Sequence, residues 1–197
     1  MQKNTRYAGF MPNDFIDGKG ICVSLWTQGC PFHCKECHNP ESWDPNGGFP
    51  VPDNLFERLD KAIYANGITR NFSILGGEPL AKTNEYSNRI FVSEALDHIK
   101  SLNDDNIKIF LWTGYTIEEL LDELKNDEYL VNILNKVDYL IDGRFLINKR
   151  DTTLALRGST NQVIYYLFNI REIDGDPTKW NLSTFFMSNN FDKVVSN

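Results

Sequence analysis

The sequence predicts an α/β fold whose mostly parallel sheet curves toward a barrel. Short apolar, β-rich runs alternate with stripes of helical period along the chain. Several of those runs stop directly on residues with chemical potential, as strands do when loops at their carboxyl ends carry a site. Ile21 to Trp26 is the first such strand, and a turn-rich segment from Thr27 to Pro50 follows it. That segment holds Cys30, Cys34, Cys37 and Gly47-Gly48, and it is too long for an idle connection. Asp53 then caps a helix striped by Leu55, Phe56, Leu59 and Ile63, ending near Gly67. Phe72 to Leu75 forms a strand that runs into Gly76-Gly77-Glu78-Pro79. Ile90 to Leu102 forms the next helix, and Ile107 to Trp112 a strand ending on Thr113-Gly114-Tyr115. Thr116 and Glu119 have capping-box spacing and open a helix through Leu120, Leu121 and Leu124. Val137 to Ile141 is a strand broken by Asp142-Gly143, and Val163 to Phe168 is the last. The cysteine loop, the Gly-Gly-Glu-Pro turn, Thr113 and Asp142 would therefore meet on one face.

A chain of 197 residues with 41% hydrophobic and 24% charged side chains has the composition of a folded domain, not of a disordered chain or coiled coil. Residues 1–170 are expected to form one domain, and residues 171–197 a polar extension. The extension has a turn at Asp174-Gly175-Asp176-Pro177 and an aromatic patch of Trp180, Phe185 and Phe186, expected to pack on the outside. Net charge is −7, from 20 basic and 27 acidic residues, without a basic stripe, which argues against a nucleic-acid partner. No run approaches the ~20 apolar residues that cross a bilayer. The first residues lack the apolar stretch of a secretory signal. A cytoplasmic protein with no membrane partner is expected.

All four cysteines fall between positions 22 and 37. A disulfide framework would spread them along the chain, so the crowding indicates metal or redox chemistry. Cys30, Cys34 and Cys37 stand at C-x3-C-x2-C spacing, close enough for one loop to wrap one centre. Thiolates suit both iron–sulfur clusters and zinc. On a four-iron cube, three cysteines leave one iron open to a small molecule. A zinc site would use the same three with Cys22 or His38 as fourth ligand. Zinc sites more often pair separated knuckles, and no second pair exists here. Cys22 sits in an apolar strand and reads as a core residue. The cluster is therefore favoured over zinc.

The cysteine loop after the first strand, with Gly76-Gly77-Glu78-Pro79 after the next, resembles the radical S-adenosylmethionine superfamily. A closer resemblance is to the activating proteins of anaerobic (class III) ribonucleoside-triphosphate reductase. It is carried by Asp17-Gly18-Lys19-Gly20, Asn39-Pro40-Glu41-Ser42-Trp43, Trp112-Thr113-Gly114-Tyr115, Leu140 to Phe145 and Arg157 to Gln162. Those segments span about residues 14 to 164.

That resemblance implies a partial (β/α) barrel of the radical SAM type over residues 1–170. It implies a [4Fe–4S] cluster on Cys30, Cys34 and Cys37, with S-adenosylmethionine chelating the open iron. One electron from the cluster would split the sulfonium to methionine and a 5′-deoxyadenosyl radical, which takes a hydrogen from a glycine Cα of the reductase. An unidentified low-potential donor would supply the electron. Gly76, Gly77, Glu78 and Pro79 would receive the methionine ammonium. His38, where an aromatic residue is expected, and Glu36 would flank Cys37 near the adenine. Thr113 would contact the ribose or carboxylate, and Asp142 and Arg144 would lie near the cofactor and incoming peptide. Arg157 to Gln162 would form a docking loop. Alternatives from the sequence are an activator of another glycyl-radical enzyme, of the pyruvate formate-lyase type, and a non-catalytic zinc-binding interaction module.

Overall fold

A computed structural model describes residues 5–187 and 191–192, with side chains through residue 185. Its strands are β1 (Arg6–Asp14), β2 (Cys22–Thr27), β3 (Phe49–Pro50), β4 (Asn71–Gly76), β5 (Ile109–Trp112), β6 (Tyr139–Asp142), β7 (Val163–Tyr166) and β8 (Phe191–Asp192). The helices are α1 (Leu55–Ile63), α2 (Arg89–Ser101), α3 (Ile117–Glu123), α4 (Glu128–Lys136), α5 (Leu167–Ile173) and α6 (Leu182–Met187). One sheet runs in the order β3-β1-β2-β4-β5-β6-β7-β8.

Only the middle of this sheet is parallel. β2, β4, β5 and β6 pair parallel with neighbours, whereas β1, β3, β7 and β8 join antiparallel. Among the described residues the ladder ends at β3 and β8 and does not close, so the expected mostly parallel sheet is open, parallel in its middle and antiparallel at both edges. The reason lies in the connections. A parallel return needs a crossover, normally a helix. Helices α1 to α4 occupy the links between β2 and β6, but the link from β6 to β7 carries only the 3-10 turn Ile147–Lys149. β7 therefore turns back on β6. Val163 to Phe168 also splits, because Leu167 and Phe168 already begin α5.

Strand alternation divides the sheet into two unlike faces. Val23, Leu25, Phe72, Ile74, Ile109, Leu111 and Leu140 are fully buried in one core with Leu59 of α1, Leu96 of α2, Leu120 of α3 and Ile133 of α4. All crossover helices thus pack on that face, as in a barrel wall. The opposite face presents Ser24, Trp26, Ser73, Leu75, Phe110, Trp112 and Tyr139, and loops cover it. The loop after β1 lies against it: a Cβ on Gly18 would meet Cys22, Ser73 and Phe110, and the Ser73 hydroxyl donates to the Asp17 carbonyl. From the other side, Trp112 Nε1 donates to the Leu156 carbonyl at 2.8 Å.

The capping box at Thr116 forms as expected: Glu119 N–H donates to Thr116 Oγ1, and Thr116 N–H to Glu119 Oε2 at 2.8 Å. Asn54, not Asp53, precedes α1, and its side chain makes no cap bond. Helix α5 runs across position 170, and Arg171 Nη1 donates to the Val137 carbonyl at 2.6 Å. Trp180 and Phe185 are buried against the core, with Phe185 packed edge-on to Tyr165, not resting outside it. The side chain of Phe186 lies outside the described residues. No helix among the described residues is long and apolar enough to cross a membrane.

Candidate active site

A cavity of about 550 Å³ opens over the loop-covered face at the carboxyl ends of β2, β4 and β5. Cys30, Cys34, Cys37 and His38 line one wall and Gly76, Gly77 and Glu78 another. Thr113, Gly114, Arg144 and Arg157 complete it with Ile16 and Asp17 from the loop after β1.

The cysteine loop is held by its own backbone. Gly29 N–H donates to the Ser42 carbonyl at 2.8 Å and Cys30 N–H to that of Trp43 at 3.0 Å. Gln28 Nε2 reaches the carbonyls of Glu41 and Asp44, pinning the returning strand of the loop. Between the thiols, His33 and Glu36 take φ of 47° and 58°. Non-glycine residues rarely adopt this conformation, and here it curls the chain so that successive cysteines face one space.

Each of the three thiols also meets main-chain N–H groups. Those of Phe32 and His33 serve Cys30, that of Phe145 serves Cys34, and that of Asn39 lies 3.4 Å from Cys37 Sγ. Such donors stabilise thiolates and tune iron–sulfur centres. Burial pushes the Cys30 thiol up to about 11 and raises Cys34, so a metal must displace protons to bind. Three soft thiol donors lining one cavity, without a second pair of ligands beside them, have the chemistry of an iron–sulfur site that Cys30, Cys34 and Cys37 would hold. Cys22 is buried at the opposite end of β2, roughly 17 Å of strand from the loop, and cannot be a fourth ligand.

Glu78 is fully enclosed. It accepts from Leu80 N–H at 2.9 Å, the Thr113 hydroxyl at 2.7 Å and Gly114 N–H at 2.6 Å. Burial outweighs these bonds and the nearby Arg89 cation and pushes its carboxyl up to about 7. The loop carrying it touches the cysteine loop backbone to backbone. Glu78 N–H donates to the Gly29 carbonyl at 2.8 Å, and a Cβ on Gly77 would sit 2.5 Å from that oxygen. Only glycine permits this approach.

The other expected residues divide. His38 lines the cavity, its ring 6.0 Å from that of Phe145, and Thr113 lines it with its hydroxyl donated to Glu78. Arg144 reaches the cavity while paired with Glu119 at 2.9 Å and stacked 4.2 Å above Phe32. Asp142 faces elsewhere: its carboxylate accepts from Ile117 N–H at 2.8 Å and Val163 N–H at 3.2 Å, binding α3 and β7 to the end of β6. Glu36 is exposed and Pro79 buried, and neither borders the cavity. Phe32, Trp26 and Ile16 were not singled out by sequence reasoning, and Arg157, expected at the start of a docking loop, lines the cavity itself. Phe32 had a signal in Gly114, where a Cβ would collide with its ring.

The model of the 4Fe-4S single cluster domain family matches residues 16–165. An anaerobic ribonucleoside-triphosphate reductase-activating protein of Pasteurella multocida is 32% identical over 162 residues, which cover 81% of this chain and 96% of that protein. Proteins of the same name from Escherichia coli, at 27% identity, and Enterobacteria phage T4, at 30%, cover 82% and 81% of this chain and 98% and 92% of their own lengths. With its thiol triad on a matched 4Fe-4S domain and similarity over most of its length, the chain belongs to the family of anaerobic ribonucleoside-triphosphate reductase-activating proteins.

Proposed function

We propose that this protein activates anaerobic ribonucleoside-triphosphate reductase by generating a glycyl radical on it, through reductive cleavage of S-adenosylmethionine at a [4Fe–4S] cluster. The observation that carries this is the meeting of the three-thiol loop and the buried Glu78 loop on one cavity. When bound, the cluster supplies a single electron to the sulfonium, chemistry that no side chain can perform.

The chain supplies position. Cys30, Cys34 and Cys37 would hold the cluster, which would leave an iron free to take the cofactor. Glu78 sits in the facing wall with its oxygens already fixed by Leu80, Thr113 and Gly114, so an ammonium group would meet an ordered acceptor. Gly77 keeps the two loops in contact, and His38 flanks the third thiol as an adenine neighbour. Residues 1–170 would form the radical SAM domain, with α5 continuing across that boundary into the extension. The partner is the reductase, whose glycine segment would approach past Ile16 and Arg157; an unidentified low-potential donor reduces the centre.

Anaerobic reconstitution followed by reductant and S-adenosylmethionine tests this. Brown protein with iron and sulfide, formation of 5′-deoxyadenosine, and a glycyl-radical signal on the added reductase are expected. Colourless protein containing zinc would sink the proposal. A radical on pyruvate formate-lyase but not on the reductase would move it to the neighbouring family.

A further inference from the structure

Asn88 stands at the position just before α2, where an asparagine side chain usually accepts from the first turn of its own helix. Here it makes no such cap bond. It is 5% exposed, and its Nδ2 donates away from the helix to the carbonyls of Gln28 at 3.0 Å, Gly29 at 3.5 Å and Glu78 at 2.8 Å. The first two carbonyls precede Cys30, and the third belongs to the residue facing the cavity. The Asn88 backbone N–H donates to the Ala81 carbonyl at 2.9 Å, so its own place is fixed from the Glu78 side. One amide group thus straddles the seam between the two loops of the site.

We infer that Asn88 is a positioning residue that sets the spacing between the cysteine loop and Glu78. The claim rests on the functional reading above and extends it to a residue that borders no part of the cavity. The buried carbonyls of Gln28 and Gly29 on one side of the seam and of Glu78 on the other all accept from this amide, those of Gly29 and Glu78 also accepting from the N–H groups of Glu78 and Ala81, respectively. The backbone bonds across the seam, Gly77 N–H to the Thr27 carbonyl and Glu78 N–H to that of Gly29, run from the Glu78 loop to the cysteine loop, and the Thr27 hydroxyl returns one to the Leu75 carbonyl at the strand end. Asn88 donates to both loops at once, so it resists their separation and their sliding together. Removing it leaves each loop folded by its own bonds, Cys30 to Trp43 and Glu78 to Leu80, while the distance between them loosens. An error of an ångström between cluster and cofactor acceptor is enough to weaken binding.

The test is Asn88→Ser in the full chain, reconstituted without oxygen beside the wild type. Iron and sulfide content, melting temperature and the change that S-adenosylmethionine induces in the electron paramagnetic resonance of the reduced cluster are measured. Wild-type iron content is expected, with the half-saturating S-adenosylmethionine concentration raised by on the order of tenfold and the induced spectrum altered. A lower melting temperature with wild-type half-saturation and spectrum would make Asn88 a scaffold residue and overturn the inference. Loss of the cluster itself would overturn it too, assigning Asn88 to the cysteine loop alone. If the serine variant does not fold, Asn88→Asp, equal in shape but without the amide donors, carries the same measurements and outcomes. A wild-type cluster indifferent to S-adenosylmethionine defeats the functional reading first, which separates that failure from this one.

Discussion

The two faces of the central sheet are built by different physics. On the helix-covered face, Val23, Leu25, Phe72, Ile74 and Leu111 pack with no exposure against helices whose apolar stripes match them. On the other face, loops lie on the strands and cohere through close backbone approach and buried polar groups: Gly77 on Gly29, Glu78 on Gly114, Trp112 on Leu156. The first arrangement spreads its stabilisation over many interchangeable contacts. The second concentrates it in a few donors and acceptors, each costly to leave unmatched. Scaffold and site should therefore fail differently.

Alanine at Cys30, Cys34 or Cys37 gives the sharpest contrast. Each should bring cluster iron and 5′-deoxyadenosine formation to background while leaving the circular dichroism of the fold unchanged. Cys22→Ala, at the far end of β2, should keep both iron and turnover. Iron lost from the Cys22 variant would show that the ligand set is wrong. On the helix-covered face, Phe72→Ala should cost ~3–5 kcal/mol in denaturant unfolding, as a fully buried ring leaves a cavity. The surviving folded fraction should still hold its cluster; a stable variant lacking iron would mean that the two faces are not separable.

The same division explains what the sequence disclosed. Periodicity found α1, α2, α3 and the parallel strands, because burial against one face imposes it. It did not find β1, whose residues Arg6–Asp14 are largely half-buried or exposed and lack an apolar run. It passed over α4, which follows α3 after a single 3-10 turn. The direction of β7 was invisible, since it depends on the missing crossover helix. In the site, cysteine spacing and the Gly-Gly-Glu-Pro turn announced themselves as local motifs. Asn88 and Phe32 did not, because their roles arise from partners distant in the chain, at Gln28 and Gly114. Asp142 was noticed for its position at a strand end, yet its carboxylate serves backbone N–H groups of α3 and β7.

Asp142 offers a smaller test that bears on the scaffold alone. Burial pushes its carboxyl up to about 7, from an ordinary 3.8. The folded state then keeps a proton that the unfolded chain releases between about pH 4 and 7, so stability from this group is complete below about 4 and falls as pH rises toward 7. The slope is at most ~1.4 kcal/mol per pH unit. A carboxamide in its place cannot titrate, and the deficit of Asp142→Asn relative to wild type should shrink across that interval in parallel urea titrations. A deficit constant with pH would place the Asp142 carboxyl at its ordinary value.

The smallest expected effect lies where the two regions touch. Thr116 and Glu119 cap α3, and Glu119 also holds Arg144 at the cavity edge through two bonds of 2.9 and 3.1 Å. Thr116 belongs to the scaffold only. Thr116→Ala should lose ~1 kcal/mol, the ordinary worth of an N-cap, with no change in the half-saturating S-adenosylmethionine concentration. Glu119→Ala removes the reciprocal half of the same box and should lose a similar amount of stability. It also frees a guanidinium stacked on Phe32, in the loop between Cys30 and Cys34, so the cofactor-induced cluster spectrum should change as well. Matched stability losses with a spectral change in the Glu119 variant alone would locate the border of the site at that carboxylate. Identical spectra from both variants would put Arg144 with the scaffold.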